Sequence, residues 1–403
     1  MEEKINILQL APRYTFPPDD GGKIGIANIT KEFAKAGANL TFFTFDDGRI
    51  SRRHKEFIAP YASLELFPHS TKNTPIRIFK SLFAKDAIYI QKHYSSKILS
   101  YLETLCENNK FDIIHADHSA MAGLAIKLKE KYKIPIGLRL HNIEWTIWQR
   151  YADTLPYFHP KRLYIQSQAN KLKRNESEIL KNIDVAFAIT EEDKKRALDL
   201  NPNLNVIIAS AGVNPEEWKP DNIQENNPQE LIIATTYHWR HNVDALHWFI
   251  GNVLKPLKKQ IPDIQLTLLG KNIPAEFNNY KEFGVNPLGY VDRVQPYLNR
   301  AGIYISPLFV GGGIRIKILE AMAMEMPVVA SPIAAEGIPA DSHAGLFVSR
   351  SADDFIRNIL QLIEDKNFAE KAGKAARQFI LSNFLWDNNT AKMLGEYSKL
   401  CTK

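Results

Sequence analysis

Short apolar runs alternate with longer amphipathic stretches through the first half of the chain. The apolar spacing within two of these stretches, residues 24–36 and 122–132, predicts helices. Regular alternation of strands and helices predicts an α/β fold with a parallel sheet covered on both faces. The predicted strands are residues 5–10, 40–45, 113–115, 136–140, 185–189 and 206–209.

A polar, proline-containing segment, residues 214–229, separates this half from a second half with the same pattern. We interpret the segment as a linker. The predicted domains are residues 1–213 and residues 230–380, each doubly wound, followed by a C-terminal helical segment, residues 381–403. Ligands of open α/β sheets bind at the carboxyl ends of the strands, so we expect the two domains to face each other across a cleft. In the second half we predict strands at 231–235, 265–269, 286–289, 303–308 and 327–330, and helices at 243–257, 294–300, 368–381 and 386–400.

The composition is that of a soluble globular protein, with 45% apolar and 24% charged residues in a chain of 403. No run of eighteen apolar residues occurs, which argues against a membrane-spanning helix. The acidic first residues and the short apolar run after them argue against a signal peptide. Two cysteines, Cys106 and Cys401, offer neither a disulfide framework nor metal-ligand spacing. We therefore expect a cytoplasmic protein.

The net charge of +6 is unevenly distributed. Between Arg52 and Arg174 basic residues outnumber acidic ones by roughly two to one, which should attract anions. Within this region, residues 75–99 interleave cations with Ile, Phe, Leu and Tyr. Peripheral contact with the inner face of a membrane is one interpretation, and an amphipathic helix packed on its own domain is the other. Nucleic acid is not expected as a partner, because no recognition motif accompanies the charge.

A glycine triplet is the main candidate for chemistry. Gly311–Gly313 follow a predicted buried strand and precede a predicted helix with Arg315, Lys317 and Glu320. A glycine loop exposes backbone N–H groups, and a helix dipole favours negative charge at its N-terminus. Cations at that end oppose the dipole, so a bound pyrophosphate is the simplest reason for them, and a nearby carboxylate could accept hydrogen bonds from a ribose. A plain tight turn with solvated cations is the alternative.

Taken in order, the motifs resemble the retaining glycosyltransferases of the GT-B fold, specifically family 4. Residues 288–338 carry the most specific match and resemble a branch with a Gly-Gly-Gly-x-Arg-x-Lys sequence. The resemblance implies two facing Rossmann-like domains and a last helix that crosses back to the first domain. It also implies sugar transfer from a nucleotide-diphosphate donor without metal or cofactor, and no Asp-x-Asp dyad stands where the diphosphate would lie. Further matching segments are residues 17–45, 112–125, 139–152, 188–198, 210–218 and 235–249.

A departing diphosphate gains negative charge that fixed cations must neutralise. The resemblance supports Arg240, Arg315 and Lys317 as these catalytic cations. We expect Arg240 at the end of the first strand of the second domain. No lysine follows Arg240 at the family's usual spacing, so we infer that Arg315 and Lys317 share the role. Glu320 matches the second glutamate of the family's paired motif, which holds the ribose. The first glutamate would fall on Gly312, so its role must pass to backbone N–H groups or to another side chain, and donor specificity stays open.

In the first domain, Gly21 and Gly22 follow the first strand and would let a diphosphate or the acceptor approach the backbone. An ordinary turn is the alternative. His115, Asp117 and His118 lie at the end of another strand, where the family often places a histidine near the donor sugar. We choose His118 as the catalytic candidate and His115 as the second choice, although a lone histidine is more often structural.

His141, Asn142 and Glu144 follow the next predicted strand and resemble a recurring His-Asn-x-Glu of this branch. They would orient the acceptor hydroxyl or the donor sugar. Packing between strand and helix explains them equally well. Residues 270–274 and 289–292 resemble family segments whose backbone contacts the nucleotide base.

The predicted function is retaining transfer of a sugar to a hydroxyl of a glycan or lipid-linked acceptor. A nucleotide-sugar 2-epimerase of GT-B form is the first alternative, because it shares the two-domain cleft. A dinucleotide-dependent dehydrogenase is disfavoured, since no Gly-x-Gly-x-x-Gly follows the first strand. A non-catalytic scaffold is disfavoured by Arg315, Lys317 and Glu320.

Overall fold

Two compact units make up the chain in a computed structural model that describes residues 4–18, 21–221, 226–311 and 313–402. The first unit combines Met1–Ser210 with Trp386–Lys403, and the second is Ala211–Leu385. Each unit is built on a parallel sheet, which confirms the α/β fold that the alternation of strands and helices predicts. No helix in the described part of the chain is both long and apolar enough to span a bilayer.

The first unit contains a seven-stranded parallel sheet in the order β3-β2-β1-β4-β5-β6-β7. Its apolar strands bury residues on both faces because helices cover both sides. β3 was not predicted from the sequence, since this edge strand is only partly buried and carries Glu65 among its apolar residues. The strands are β1 Asn6–Leu10, β2 Asn39–Asp46, β3 Ser63–Pro68, β4 Ile113–Asp117, β5 Ile136–Leu140, β6 Val185–Ala188 and β7 Val206–Ile208.

Nine helices of the first unit precede the second unit in the described chain. Several begin at a residue whose side-chain oxygen accepts a backbone N–H, as Thr74, Ser95 and Thr190 do. The helices are α1 Gly21–Lys35, α2 Arg52–Ile58, α3 Pro75–Phe83, α4 Ile88–Gln91, α5 Ser96–Asn108, α6 Ser119–Tyr132, α7 Glu144–Asp153, α8 Pro160–Asn182 and α9 Glu191–Leu200.

The second unit contains a six-stranded parallel sheet in the order β10-β9-β8-β11-β12-β13. Its strands are β8 Asn227–Ala234, β9 Gln265–Leu269, β10 Val285–Gly289, β11 Ala301–Ser306, β12 Val328–Ala330 and β13 Leu346–Val348. A π-helical turn, Ile250–Leu254, joins its first two helices, and two 3₁₀ segments, Ala275–Phe283 and Ser342–Ala344, complete it. The helices are α10 Arg240–Phe249, α11 Lys255–Gln260, α12 Gln295–Arg300, α13 Ile316–Ala323, α14 Ala352–Glu364 and α15 Lys366–Asn383.

The last helix, α16 (Trp386–Cys401), belongs to the first unit. Its Tyr397 is fully buried and contacts the rings of Phe33, His115 and Phe187. β5 admits this ring because residue 137 is glycine, and a Cβ atom there would overlap Tyr397. The predicted return of the C-terminal helix to the first domain is confirmed.

Candidate active site

The glycine loop lies at the topological switch point of the second sheet. β8 and β11 are neighbours there, and the later strands extend from them in opposite directions. Their carboxyl ends lead into residues 235–239 and residues 307–315. Trp248 of α10 contacts Phe309 with the ring centroids 4.6 Å apart, so the helix after β8 touches the loop after β11. Parallel α/β sheets bind ligands at such a point.

Gly311 and Gly313 have φ angles of 142° and 75°, which non-glycine residues rarely adopt. A Cβ atom at position 311 would overlap the guanidinium of Arg315. The close approach of Arg315 to the loop backbone therefore requires glycine at this position. Gly312 lies outside the described residues.

The sequence predicts Arg315 within the first turn of the helix after the glycine loop. The structure instead places Arg315 immediately before α13. Its ψ of 92° is extended, so the helix begins at Ile316. Burial lowers the pKa of the Arg315 guanidinium, and the carboxylate of Glu336 opposes this shift. A partly desolvated guanidinium beside a glycine loop and a helix N-terminus can bind an anion in a bidentate manner.

Lys317 and Glu320 form an ion pair on α13, with Lys317 Nζ 2.8 Å from Glu320 Oε2. Lys317 also lies over the ring of Trp218, 5.5 Å from its centroid. Glu320 is buried, and burial raises its pKa above the usual value although the charge of Lys317 opposes this shift. The pair holds a carboxylate one helical turn from the glycine loop, where it could accept hydrogen bonds from hydroxyl groups.

Arg240 lies at the first position of α10 and not at the end of β8, where the sequence predicted it. The loop between them is held by Asn242, whose Nδ2 donates to Thr235 Oγ1 and to the carbonyl oxygen of Thr236 at 3.1 and 2.7 Å. The Arg240 side chain is 82% exposed and pairs with Asp244 at 2.8 Å. It is thus a solvated cation at a helix N-terminus.

A pocket of about 390 Å³ opens between the loops after β9 and β10. The sequence predicts that both loops contact a nucleotide base, and the structure brings them together around one cavity. Lys271 lies over the ring of Tyr290 at its rim, 5.0 Å from the centroid. The lining residues are Gly270, Lys271, Asn272, Ile273, Pro274, Asn278, Pro287, Gly289 and Tyr290.

In the first unit, Asp117 is the centre of a buried polar network at the end of β4. Its carboxylate accepts a 2.7 Å hydrogen bond from Gln9 Nε2, and its other oxygen lies 3.4 Å from His115 Nε2 and 3.5 Å from His141 Nε2. Burial raises the pKa of Asp117, but its interactions with His115 and His141 outweigh this and hold the pKa well below its usual value. Asp117 therefore stays ionised.

His115 bonds Tyr397 OH through Nδ1 at 2.6 Å and is fully buried between α16 and Asp117. The structure therefore places His115 and Asp117 as buried support beneath the strand ends. Among the described residues, no group of three or more His, Cys, Asp and Glu side chains is arranged to hold a metal ion.

His118 and His141 stack face to face, with centroids 3.8 Å apart and planes at 9°. His118 Nδ1 lies 3.7 Å from a carboxylate oxygen of Glu144, the first residue of α7. Burial lowers the pKa of His141, and the charges of His118 and Arg139 lower it further. The neutral His141 ring thus supports the less buried His118. The predicted residues that follow β4 and those that follow β5 therefore form one cluster.

Arg139 was missed by sequence reasoning, although a charged residue inside the apolar run of β5 is a visible signal. It is fully buried, and its guanidinium donates a 2.9 Å hydrogen bond to His141 Nε2. Burial lowers the pKa of Arg139 to about 10, and Asp117 opposes the shift. Gly25 of α1 provides the space, because a Cβ atom there would lie 3.1 Å from the guanidinium.

The remaining predicted residues of this unit are less closely packed than the histidine cluster. Gly21 and Gly22 are the first residues of α1, and a Cβ atom on Gly21 would contact nothing within 4 Å. Close packing therefore does not require glycine at position 21. Asn142 is half-buried between His141 and α7.

Two family models match most of the chain. The one described as Glycosyltransferase Family 4 matches residues 20–217, and the one described as Glycosyl transferases group 1 matches residues 229–365. The sucrose-phosphate synthase of Thermosynechococcus elongatus has the same fold, with a TM-score of 0.71 at 16% identity over 98% of this chain and 99% of that one. The protein is a GT-B glycosyltransferase.

Relatives of this enzyme span its full length. An uncharacterized glycosyltransferase of Methanocaldococcus jannaschii is 23% identical over 98% of both chains. The Anabaena protein HepE, crystallised with UDP and glucose, has a TM-score of 0.66 at 14% identity over 98% of this chain and 100% of that one. The Methanocaldococcus relative is named as a glycosyltransferase and the Thermosynechococcus structure as a synthase, and these names do not favour the 2-epimerase alternative.

Proposed function

We propose that the enzyme transfers a sugar from a nucleoside-diphosphate donor to a hydroxyl of a glycan or lipid-linked acceptor, with retention of configuration and without a metal ion. The observation that carries this proposal is the glycine loop at the switch point of the second sheet, with Arg315, Lys317 and Glu320 directly after it. HepE has been crystallised with UDP and with UDP-glucose, so a uridine donor is the first to test.

The second unit would hold the donor. Backbone N–H groups of the glycine loop and the guanidinium of Arg315 bind the diphosphate, and Glu320 accepts hydrogen bonds from the ribose. The pocket between the loops after β9 and β10 receives the base. Lys317, aligned by Glu320 and Trp218, adds a point charge as the phosphate leaves.

The exposed Arg240 can add to this charge by leaving Asp244 for the phosphate, since a surface ion pair of this kind is worth only about 0–1 kcal/mol. With these three cations stabilising the developing charge, a divalent ion is not needed in the proposed reaction. Addition of a chelator should therefore leave turnover unchanged.

Retention follows from attack on the same face of the sugar that the phosphate leaves. The bond from the anomeric carbon to the phosphate oxygen breaks, the bond to the acceptor oxygen forms, and the acceptor proton passes to the departing phosphate oxygen. No side chain is assigned as a base. In this proposal His118, supported by His141 and Glu144, orients the acceptor hydroxyl or the donor sugar.

The proposal is tested by binding and turnover with UDP-glucose and other nucleotide sugars. A ligand that binds only the folded state raises the melting temperature. Glu320→Gln should weaken nucleotide binding roughly tenfold, because a buried partner of the ribose loses its charge. Arg315→Lys should lower turnover by about a hundredfold, the scale for one lost charge partner in the transition state.

Exposed residues of α14 provide matched controls. Glu364→Gln and Arg357→Lys make the same chemical changes away from the loop and should leave binding and turnover unchanged. Turnover of the donor to an epimer without an acceptor would indicate the epimerase instead. If no nucleoside diphosphate or nucleotide sugar raises the melting temperature, the proposed function is wrong.

A further inference from the structure

Helix α3 contacts its own unit through its polar side. Ser81 is its one buried residue, and Ser81 Oγ lies 2.9 Å from Tyr164 OH of α8. Lys171, also on α8, donates hydrogen bonds to the carbonyl oxygens of Ser81 and Leu82 at 2.7 and 3.0 Å. An amphipathic helix of a soluble protein normally packs through its apolar face. In α3 the polar face instead forms hydrogen bonds with α8, and the apolar face is exposed to solvent.

The outward face of α3 is an apolar stripe made of Ile76, Phe79 and Phe83. Their exposures are 70%, 63% and 79%, and the two phenylalanine rings contact each other with centroids 5.4 Å apart. With about 3.6 residues per turn, the spacings of three and four place them on one side of the helix, opposite Ser81. Exposed apolar clusters of this kind mark surfaces that bind a partner or a membrane.

A second pair of exposed aromatic residues precedes α8. Tyr157 and Phe158 are 71% and 88% exposed, and their rings contact each other with centroids 5.0 Å apart. Tyr164, less than two turns into α8, is the residue that contacts Ser81. The aromatic pair and α3 therefore both adjoin the first turns of α8.

The charge around these residues is predominantly positive, and Asp86 and Asp153 are acidic residues among the cations. Residues 70–86, which contain α3, include four lysines and arginines and a single acidic residue. Residues 159–174, which contain the first turns of α8, include five lysines and arginines and no acidic residue. Each such cation is attracted to the negative surface of an anionic leaflet.

We propose that this surface, formed by the stripe on α3 and the Tyr157–Phe158 pair, docks on the face of a bilayer with anionic headgroups. The aromatic and aliphatic side chains enter the boundary between headgroups and acyl chains, while exposed lysines such as Lys80 and Lys85 stay among the phosphates. A second copy of the chain is a poor occupant, because it would bring the same cations face to face. Docking through this surface does not depend on which acceptor the enzyme uses.

The test is sedimentation of the full chain with vesicles. Wild-type protein should bind vesicles of phosphatidylcholine with phosphatidylglycerol and remain in solution with phosphatidylcholine alone. Replacing Ile76, Phe79 and Phe83 together by serine should reduce binding by about tenfold or more, because the inserted apolar area is lost. Lys80→Glu with Lys85→Glu should reduce it comparably, and salt should weaken wild-type binding.

Matched variants elsewhere on the surface provide the control. Phe57→Ser with Val348→Ser removes exposed apolar side chains, and Lys371→Glu with Lys392→Glu reverses exposed charges away from α3. Both should bind vesicles as the wild type does. Equal binding by the wild type and the serine variant would overturn the proposal. So would absence of vesicle binding, or a concentration-dependent dimer that the serine substitutions abolish.

Discussion

Glu176 is a buried carboxyl group that performs a capping role for another helix. The residue before α7, Ile143, has no side chain that can cap it. Glu176 of α8 supplies the missing acceptor, taking the N–H groups of Glu144 and Trp145 at 3.0 Å each and the hydroxyl of Ser119 at 3.2 Å. It thereby fixes the start of the helix that carries Glu144 beside His118. Burial raises the pKa of Glu176 to about 8, and the charge of Glu144 raises it as well.

A raised carboxyl pKa makes stability fall as the pH rises. Glu176 keeps its proton up to about pH 8 in the folded state, whereas it releases the proton near pH 4.5 in the unfolded state. The stabilisation of the folded state by this proton is therefore complete below pH 4.5 and is lost as the pH approaches 8. We expect Glu176→Gln to flatten this decline in the free energy of unfolding of the first unit. Hydrogen exchange of the buried amides of β4 and β5 at pH 5 and pH 8 measures the free energy of unfolding at each pH.

Glu178→Gln is the matched control, since Glu178 is exposed on the same helix. This variant should keep the wild-type dependence on pH. Parallel pH profiles for wild type and Glu176→Gln would contradict the assignment of the shift to Glu176.

At the scale of elements, α16 is held against the first sheet by a ring that fits over a strand. Tyr397 lies against β5 at Gly137, and its hydroxyl bonds His115 of β4. The same helix brings Trp386 close to the guanidinium of Arg139, whose Cζ lies 6.0 Å from the ring centroid. The last helix therefore contacts the buried residues that support His118 and His141.

We expect Gly137→Ala to destabilise the first unit by about 1–3 kcal/mol, the usual cost of overpacking a core. Chemical denaturation with hydrogen exchange of β4 and β5 measures the change. Gly123→Ala on α6 is the control, because its new methyl group would meet only Tyr94 at 3.9 Å and should be neutral or stabilising. Adding Tyr397→Leu should recover part of the loss at position 137. Equal stability of the two alanine variants would show that α16 does not press on β5.

At the scale of the whole molecule, the first unit is assembled from both ends of the chain. Residues 386–403 are separated in sequence from the other residues of this unit by the whole second unit. They contribute buried side chains to it, including Trp386, Met393 and Tyr397. The first unit is therefore complete only when the chain has been made through α16.

Removal of residues 386–403 should destabilise the first unit severely, because the rings of Phe33 and Phe187 lose Tyr397 and the buried His115 loses its hydrogen-bond partner. Thermal melting by circular dichroism and the soluble yield measure the effect. Removal of residues 402–403 alone should change neither. A truncated chain that melts like the full one would refute a structural role for α16.

Local patterns in the sequence predicted most of the two sheets, because burial on both faces leaves continuous apolar runs. They also predicted the glycine loop, since glycine and nearby cations are visible in the sequence itself. Weak or short strands such as β3 and β13 were missed, because an edge strand does not need a continuous apolar run. Arg240 was placed at a strand end because the length of the loop before α10 is not encoded in any periodicity.

The sequence by itself determined the α/β class, the order of the elements and the residue types at the sheet edges. Only the tertiary structure decided which groups meet, as when Tyr397 bonds His115 across 282 positions or Arg139 is buried against His141. It also decided that α3 turns Ser81 inward and its phenylalanines outward. Periodicity shows that a helix has two faces, but the hydrogen bonds and packing of its neighbours select the face that is buried.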